Sequence, residues 1–131
     1  MKFFLTCDVD WESRIDKVLH ALIDSGIKAF FEKKEYGDSL IDISINLNCN
    51  NPDYNHKQRI RFLKLEKVLY LDLMFDLNQF KSIEQSERQN IVAKKMVTEL
   101  PAIIAKYKFK NFDLLAFEAD LVGCFKQIKW L

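Results

Sequence analysis

The chain opens with a short apolar run, which is followed by an apolar stripe at helical spacing. Residues 2–7 (KFFLTC) predict a short buried strand. Asp10 is a suitable helix cap, and the apolar residues after it recur with a helical period as far as Leu22. Gly26 stands where a helix commonly ends. The pattern therefore predicts a strand and then a helix over about residues 11–25.

The middle of the chain shows the alternation expected of antiparallel strands. Residues 27–36 (IKAFFEKKEY) and 39–48 (SLIDISINLN) flank Gly37 and Asp38, a pair that favours the tight turn of a β-hairpin. Within residues 39–48 apolar and polar positions alternate, so we expect one buried face and one wet face. A long polar loop follows and separates this hairpin from the next strands.

Residues 59–76 (RIRFLKLEKVLYLDLMFD) predict two more strands joined by a turn. With the turn centred on Glu66 and Lys67, which are poor residues for a two-residue turn, we expect a four-residue loop. This register places Phe62 opposite Leu71, Ile60 opposite Leu73 and Arg61 opposite Asp72. Apolar residues then share the covered face, and the other face carries Arg59, Arg61, Tyr70 and Asp72.

The C-terminal third has helical periodicity. One apolar stripe follows Ser82 and continues to Tyr107, and Pro101 within it is expected to kink the helix or to begin a new one. Asp113 is a suitable cap for a last helix. The predicted order is β-α-β-β-β-β-α-α, which indicates an α+β fold: an antiparallel sheet of about five strands with helices packed on one face. We expect a single domain over residues 1–131.

Composition and charge restrict the classes of function. Hydrophobic residues make up 49% and charged residues 30% of the chain, an ordinary globular composition. The 20 basic and 19 acidic residues give a net charge of +1, so no overall field attracts nucleic acid or an acidic membrane. The apolar run at the N-terminus is too short for a signal peptide, and no segment is long enough to span a membrane. Three cysteines without a CxxC pair favour reduced thiols. A cytoplasmic location is expected.

No arrangement of residues predicts catalysis, a cofactor or a metal site. The three glycines do not form a phosphate-binding loop or a dinucleotide fingerprint. His20 and Cys7 lack a third residue that would orient them as a catalytic dyad. Asp8, Asp10 and Glu12 are close enough to suggest a metal site or a carboxylate pair, but acidic residues at a helix N-terminus more commonly cap it. We therefore expect no catalytic residues, no cofactor and no bound metal.

The polar face of the second strand pair is the better candidate for a working surface. Arg61 opposite Asp72 has an ordinary explanation as an exposed ion pair, which contributes about 0 to 1 kcal/mol. That explanation does not account for Tyr70 beside them, since aromatic and arginine side chains together are favoured in protein interfaces. An interface and a purely structural role both remain open on these residues alone.

The stretch RIRFLKLEKVLYLDLMFDLNQF, followed by SIEQSERQNIVAKKMVTELPAIIAKYKFKNFD, resembles bacterial immunity proteins of polymorphic and contact-dependent growth-inhibition toxin systems. The resemblance covers about residues 58–120: the strand pair, the long helix opened by Ser82, and the link over residues 108–113. It implies a small cytoplasmic protein, without catalysis of its own, that binds one cognate toxin C-terminal domain and blocks it. No contact residue of the family is carried over by the resemblance.

Two polar groups have the chemistry of a toxin interface. Asp8, Asp10 and Glu12 would steer association if the toxin is a nuclease with a basic cleft. The second group is the sheet face with Arg59, Arg61, Tyr70 and Asp72. Two other classes compete: a single-strand nucleic-acid-binding sheet domain, which the near-zero net charge disfavours, and a small enzyme of unrecognised type.

Overall fold

The structure is a computed structural model that describes residues 1–7, 21–22, 25–50 and 57–131. The elements in these ranges follow the order β1 (Lys2–Cys7), α1 (Ile27–Glu32), β2 (Asp42–Asn50), β3 (Ile60–Leu63), β4 (Val68–Asp76), α2 (Leu77–Lys81), α3 (Gln85–Tyr107) and α4 (Leu114–Gln127). The predicted α+β class is confirmed. The predicted helix over residues 11–25 lies mostly outside the described residues, of which Ala21 and Leu22 are helical.

The strands form one mixed sheet in the order β1-β2-β4-β3. β1, β2 and β4 run parallel to one another, and β3 is antiparallel to β4. The prediction of about five antiparallel strands is therefore wrong, since the described part of the chain forms four strands with a mixed pairing. Adjacent parallel strands need a crossover connection, and the segment that joins β1 to β2 includes α1.

Residues 27–36 account for the missing strand, because they begin with α1 and do not form a hairpin arm. Ile27 and Phe31 are both buried and lie one helical turn apart. Gly37 has a φ of 137°, and a Cβ at this position would lie 2.1 Å from the backbone oxygen of Asn111. This glycine therefore allows two loops to approach closely, and the expected hairpin turn at Gly37 and Asp38 is wrong.

The β3–β4 register differs from the predicted one by two residues. Phe62 lies opposite Leu69, and Arg61 lies opposite Tyr70. The loop over residues 64–67 has the expected four residues, but it is centred one position earlier than predicted. Because side chains alternate with a period of two, this shift changes every partner and leaves every side chain on its predicted face.

The core lies between the sheet and the helices on one of its faces. Alternate residues of β2 and β4 point into it, and the helices supply most of the rest. The fully buried members include Phe3, Phe31, Ile43, Ile45, Leu47, Leu69, Leu73, Phe80, Val92, Met96, Leu100, Phe117, Leu121 and Phe125. This confirms the predicted buried alternation of β2. Ile60 is less covered than predicted, with 40% of its surface exposed, because β3 lies at the sheet edge.

Two positions in the C-terminal helices were predicted to interrupt or to cap them, Pro101 and Asp113. Asp113 caps α4 as predicted, with its side chain accepting a hydrogen bond from Ala116 N. α3 continues through Pro101, so of the two predicted alternatives, a kink or a new helix, the new helix is excluded. Pro101 is itself buried, and buried residues on both sides of it hold the helix against the core. A kink at Pro101 stays a prediction. Among the described helices, none is both long and apolar enough to cross a membrane.

Candidate functional site

The four predicted residues of the sheet face lie together. Arg59, Arg61, Tyr70 and Asp72 all line one shallow pocket of about 460 Å³ on the face of the sheet that points away from the described helices. The other described residues that line it are Thr6, Ser44, Asn46 and Leu71. The other predicted group, Asp8, Asp10 and Glu12, lies outside the described residues, as do His20 and His56.

The parallel pairing of β2 with β4 builds this pocket from two rows of side chains that run across the strands. One row, here called the open row, joins Phe4 to Ser44, Ser44 to Tyr70, and Tyr70 to Arg61 as paired positions. The other, here called the closed row, begins with the pairs Thr6 to Asn46 and Asn46 to Asp72. It ends at Arg59, whose backbone oxygen accepts a hydrogen bond from Asp72 N at 2.8 Å.

Side-chain hydrogen bonds connect every member of the closed row. Thr6 Oγ1 donates to Asn46 Oδ1 at 3.1 Å, and Asn46 Nδ2 donates to Asp72 Oδ1 at 3.2 Å. Asp72 Oδ2 accepts from the backbone N and from Nε of Arg59, at 3.0 and 2.9 Å. A longer bond of 3.5 Å joins Arg59 Nη2 to Asp72 Oδ1. Asp72 thus accepts four donors, which is about the capacity of a carboxylate.

Asp72 is a buried charge that its neighbours keep ionised. Only 3% of its surface is exposed. Burial alone would raise the pKa of Asp72, but the hydrogen bonds and charge of Arg59 and the hydrogen bond of Asn46 outweigh this effect, and the pKa lies below its ordinary value. The predicted ion pair between Arg61 and Asp72 is therefore wrong, since the two-residue shift in register gives Asp72 to Arg59.

The open row, in contrast, presents its side chains to solvent. Tyr70 is 44% exposed and Phe4 is 43% exposed. The exposed Arg61 side chain has no hydrogen bond or ion pair to any residue that the structure describes, and the Ser44 hydroxyl likewise has none within the described ranges. The ammonium of Lys28 lies 5.9 Å from the centre of the Phe4 ring. The open row therefore retains unused donors next to accessible aromatic surface.

Sequence reasoning found half of this site and missed the other half. Arg59, Arg61, Tyr70 and Asp72 were identified from their alternation, but their neighbours on β1 and β2 were not. The polar alternation of β2 was a signal for Ser44 and Asn46. This signal did not place Ser44 and Asn46 beside Tyr70 and Asp72, because the predicted hairpin paired β2 with the wrong strand.

A second pocket of about 460 Å³ lies where the N-terminus meets the loop after α1. The described residues that line it include four acidic ones, Glu32, Glu35, Asp38 and Asp42. Of these, Asp42 accepts a long hydrogen bond of 3.4 Å from the backbone N of Lys2. Among the residues described, no group of histidine, cysteine and acidic side chains has an arrangement that could hold a metal ion.

These features define an α+β protein whose described helices lie on one sheet face, with a polar, partly aromatic pocket on the other. The chain belongs to the immunity protein 44 family, whose sequence model matches residues 1–127. The predicted resemblance to bacterial immunity proteins is thereby confirmed, and it extends beyond the residues 58–120 that suggested it. Comparisons with curated proteins and with solved structures give no match.

Proposed function

We propose that this protein binds the C-terminal toxin domain of a polymorphic or contact-dependent growth-inhibition system, one-to-one in the cytoplasm, and neutralises it without catalysis. The observation that carries the proposal is the match of an immunity protein family to residues 1–127. The open sheet face supports it, because it combines tyrosine, arginine and accessible aromatic surface, a composition favoured in protein interfaces.

Tyr70 is the proposed anchor of the complex. The residue has a large ring, is 44% exposed, and is flanked on the neighbouring strands by Ser44 and Arg61. Burying such a ring under a partner removes apolar surface from water at a small cost in side-chain entropy. Replacing an anchor of this kind typically costs about 2 kcal/mol or more, roughly thirtyfold in affinity.

Asp8, Asp10 and Glu12 are proposed to act at a distance. If the toxin is a nuclease with a basic cleft, an acidic group on the inhibitor raises the association rate by electrostatic steering. Contacts that must break on release act instead on the dissociation rate. The two groups are therefore distinguishable by kinetics.

The test is co-expression and binding with the toxin domain encoded next to this gene. Wild type should protect cells from the toxin and form a one-to-one complex. Tyr70→Ala should mainly speed dissociation, whereas charge reversal at Asp8, Asp10 and Glu12 should mainly slow association and lose its effect in high salt. Matched controls are Leu115→Ala, which removes a side chain that is 77% exposed on α4, and charge reversal at Glu84, Glu87 and Glu118.

Thermal unfolding of each variant shows whether the fold is intact. Failure of wild type to bind or protect against the neighbouring toxin would overturn the proposed function. Unchanged rates for all folded variants would show that neither surface contacts or steers the toxin.

A further inference from the structure

The two rows of the sheet pocket differ in how far their polar groups are satisfied. In the closed row, the charge of Arg59 is offset by Asp72, and the four donors around Asp72 leave its oxygens no capacity for another partner. Among the described residues that line the pocket, the remaining formal charge belongs to Arg61. This described part of the lining therefore offers a ligand one positive charge and several neutral polar groups.

The open row places three donors on adjacent strands. Ser44 on β2, Tyr70 on β4 and Arg61 on β3 are directly paired positions. Neighbouring strands are about 4.8 Å apart, so the three positions span roughly 10 Å. That distance suits a carboxylate side chain lying over Tyr70 and held by the flat fork of an arginine.

We infer that the open row receives an aspartate or glutamate side chain of the toxin domain, which pairs with the Arg61 guanidinium beside the hydroxyl groups of Tyr70 and Ser44. This inference rests on the proposed function. Phe4, which is 43% exposed, extends the row with apolar surface that the segment around that acidic residue would cover. The closed row acts as a positioning element, because its hydrogen bonds tie together the strands that carry the open row.

A partner cation fits this pocket less well than a carboxylate. Asp72 is the one acidic residue in the described lining, and both of its oxygens are already occupied. Single-stranded nucleic acid also fits less well, although Tyr70 could stack on a base. Tracking a phosphate backbone requires a series of cations, and the described lining supplies a single cation without an ion-pair partner among the described residues.

The experiment measures binding kinetics of the full chain with the neighbouring toxin domain. Arg61→Gln should weaken binding by about tenfold or more, mainly through faster dissociation. The matched control is Lys64→Gln, an equal change of charge at an exposed position in the β3–β4 loop, which should change affinity by less than about twofold. Both side chains are exposed, so the melting temperatures should stay near that of wild type. Arg61→Lys keeps the charge without the fork and should bind with intermediate affinity.

A double-mutant cycle identifies the acidic partner residue. Each exposed aspartate or glutamate of the toxin domain is changed to its amide and measured against wild type and Arg61→Gln. One substitution should weaken binding to wild type and have little further effect on Arg61→Gln. Arg61→Glu should recover affinity for a toxin domain carrying lysine at that position.

Three outcomes would overturn the inference. Equal effects of Arg61→Gln and Lys64→Gln would show that Arg61 makes no specific contact, and the lack of any coupled acidic residue would show that its partner is not a carboxylate. Saturable binding of a labelled single-stranded oligonucleotide that Arg61→Gln abolishes would assign the pocket to nucleic acid. If wild type does not bind the toxin domain at all, the proposed function itself fails, and this inference fails with it.

Discussion

Removing the Asp72 carboxylate is the most direct way to test the closed row. Asp72→Ala deletes both acceptor oxygens and leaves Arg59 N and Asn46 Nδ2 without this partner. Hydrogen bonds to a charged group contribute about 1.5 to 3 kcal/mol each when they are buried. The Arg59 side chain is 76% exposed, so water replaces much of what its guanidinium loses.

The expected loss of unfolding free energy is therefore about 2 to 3 kcal/mol for Asp72→Ala. The coupling energy between the side chains of Asp72 and Arg59 should be about 1 kcal/mol of this loss. The rest comes from the other donors to Asp72, which are the backbone N of Arg59 and Asn46 Nδ2. For a chain of this size, each kcal/mol corresponds to roughly 3 to 5 °C in melting temperature.

The assay is urea and thermal unfolding of wild type, Asp72→Ala, Arg59→Gln and the double variant, which gives the coupling energy directly. Asp42→Asn is the matched control, because Asp42 lies on the same face, is less buried, and accepts only one described hydrogen bond, from Lys2 N at 3.4 Å. A loss below about 0.5 kcal/mol for Asp72→Ala, or a coupling energy near zero, would refute the argument that Asp72 holds the closed row.

The stabilisation by Asp72 should depend on pH with a definite sign. The folded state holds the pKa of Asp72 below its ordinary value, so the unfolded state binds the proton more readily. The contribution is then complete above the unfolded pKa of about 3.9 and is lost as the pH falls through the lowered folded pKa. The stability difference between wild type and Asp72→Asn should be constant near neutral pH and shrink below about pH 4. If this stability difference grew as the pH fell, the predicted direction of the pH dependence would be wrong.

Two further predictions concern the loops and the core. Gly37→Ala should destabilise the fold by about 3 kcal/mol or more, because φ at this position is 137° and the new Cβ would clash with the Asn111 carbonyl oxygen. Gly123→Ala should instead stabilise the fold by about 0.5 to 1 kcal/mol, because Gly123 lies within α4 and a Cβ there would have no atom within 4 Å. Chemical unfolding of both variants checks the opposite signs. Burial raises the pKa of the Cys124 thiol to about 11, so a variant in which Cys124 is the sole cysteine should react with a thiol reagent only as fast as the fold opens. Rapid labelling under native conditions would contradict its burial.

The sequence by itself determined which residues of a strand share a face. Side-chain alternation is local, and Arg59, Arg61, Tyr70 and Asp72 were placed on one face although their strand register was shifted by two residues. The α+β class, the cap at Asp113 and the family resemblance also followed from short-range patterns.

Tertiary structure alone decided which strands are neighbours. Apolar residues at 27 and 31 are compatible with either a strand or a helix, and only packing against the core selects α1. With that helix in place, β2 pairs with β1 and β4 in parallel, and β3 is displaced to the edge. Parallel pairing joins segments that are distant in the chain, so no local turn signal specifies it.

The chemistry of the pocket depends on that pairing. Thr6, Asn46 and Asp72 lie on three strands that the sequence did not predict to be neighbours. Hydrogen bonds among their side chains satisfy the polar groups of the closed row. Because the register of β3 against β4 is shifted by two residues, Asp72 pairs with Arg59, and Arg61 lies beside Tyr70. The period of a strand fixes the face on which a side chain lies, whereas hydrogen-bond partners depend on strand order and register, which are set by the packing of the whole sheet against its helices.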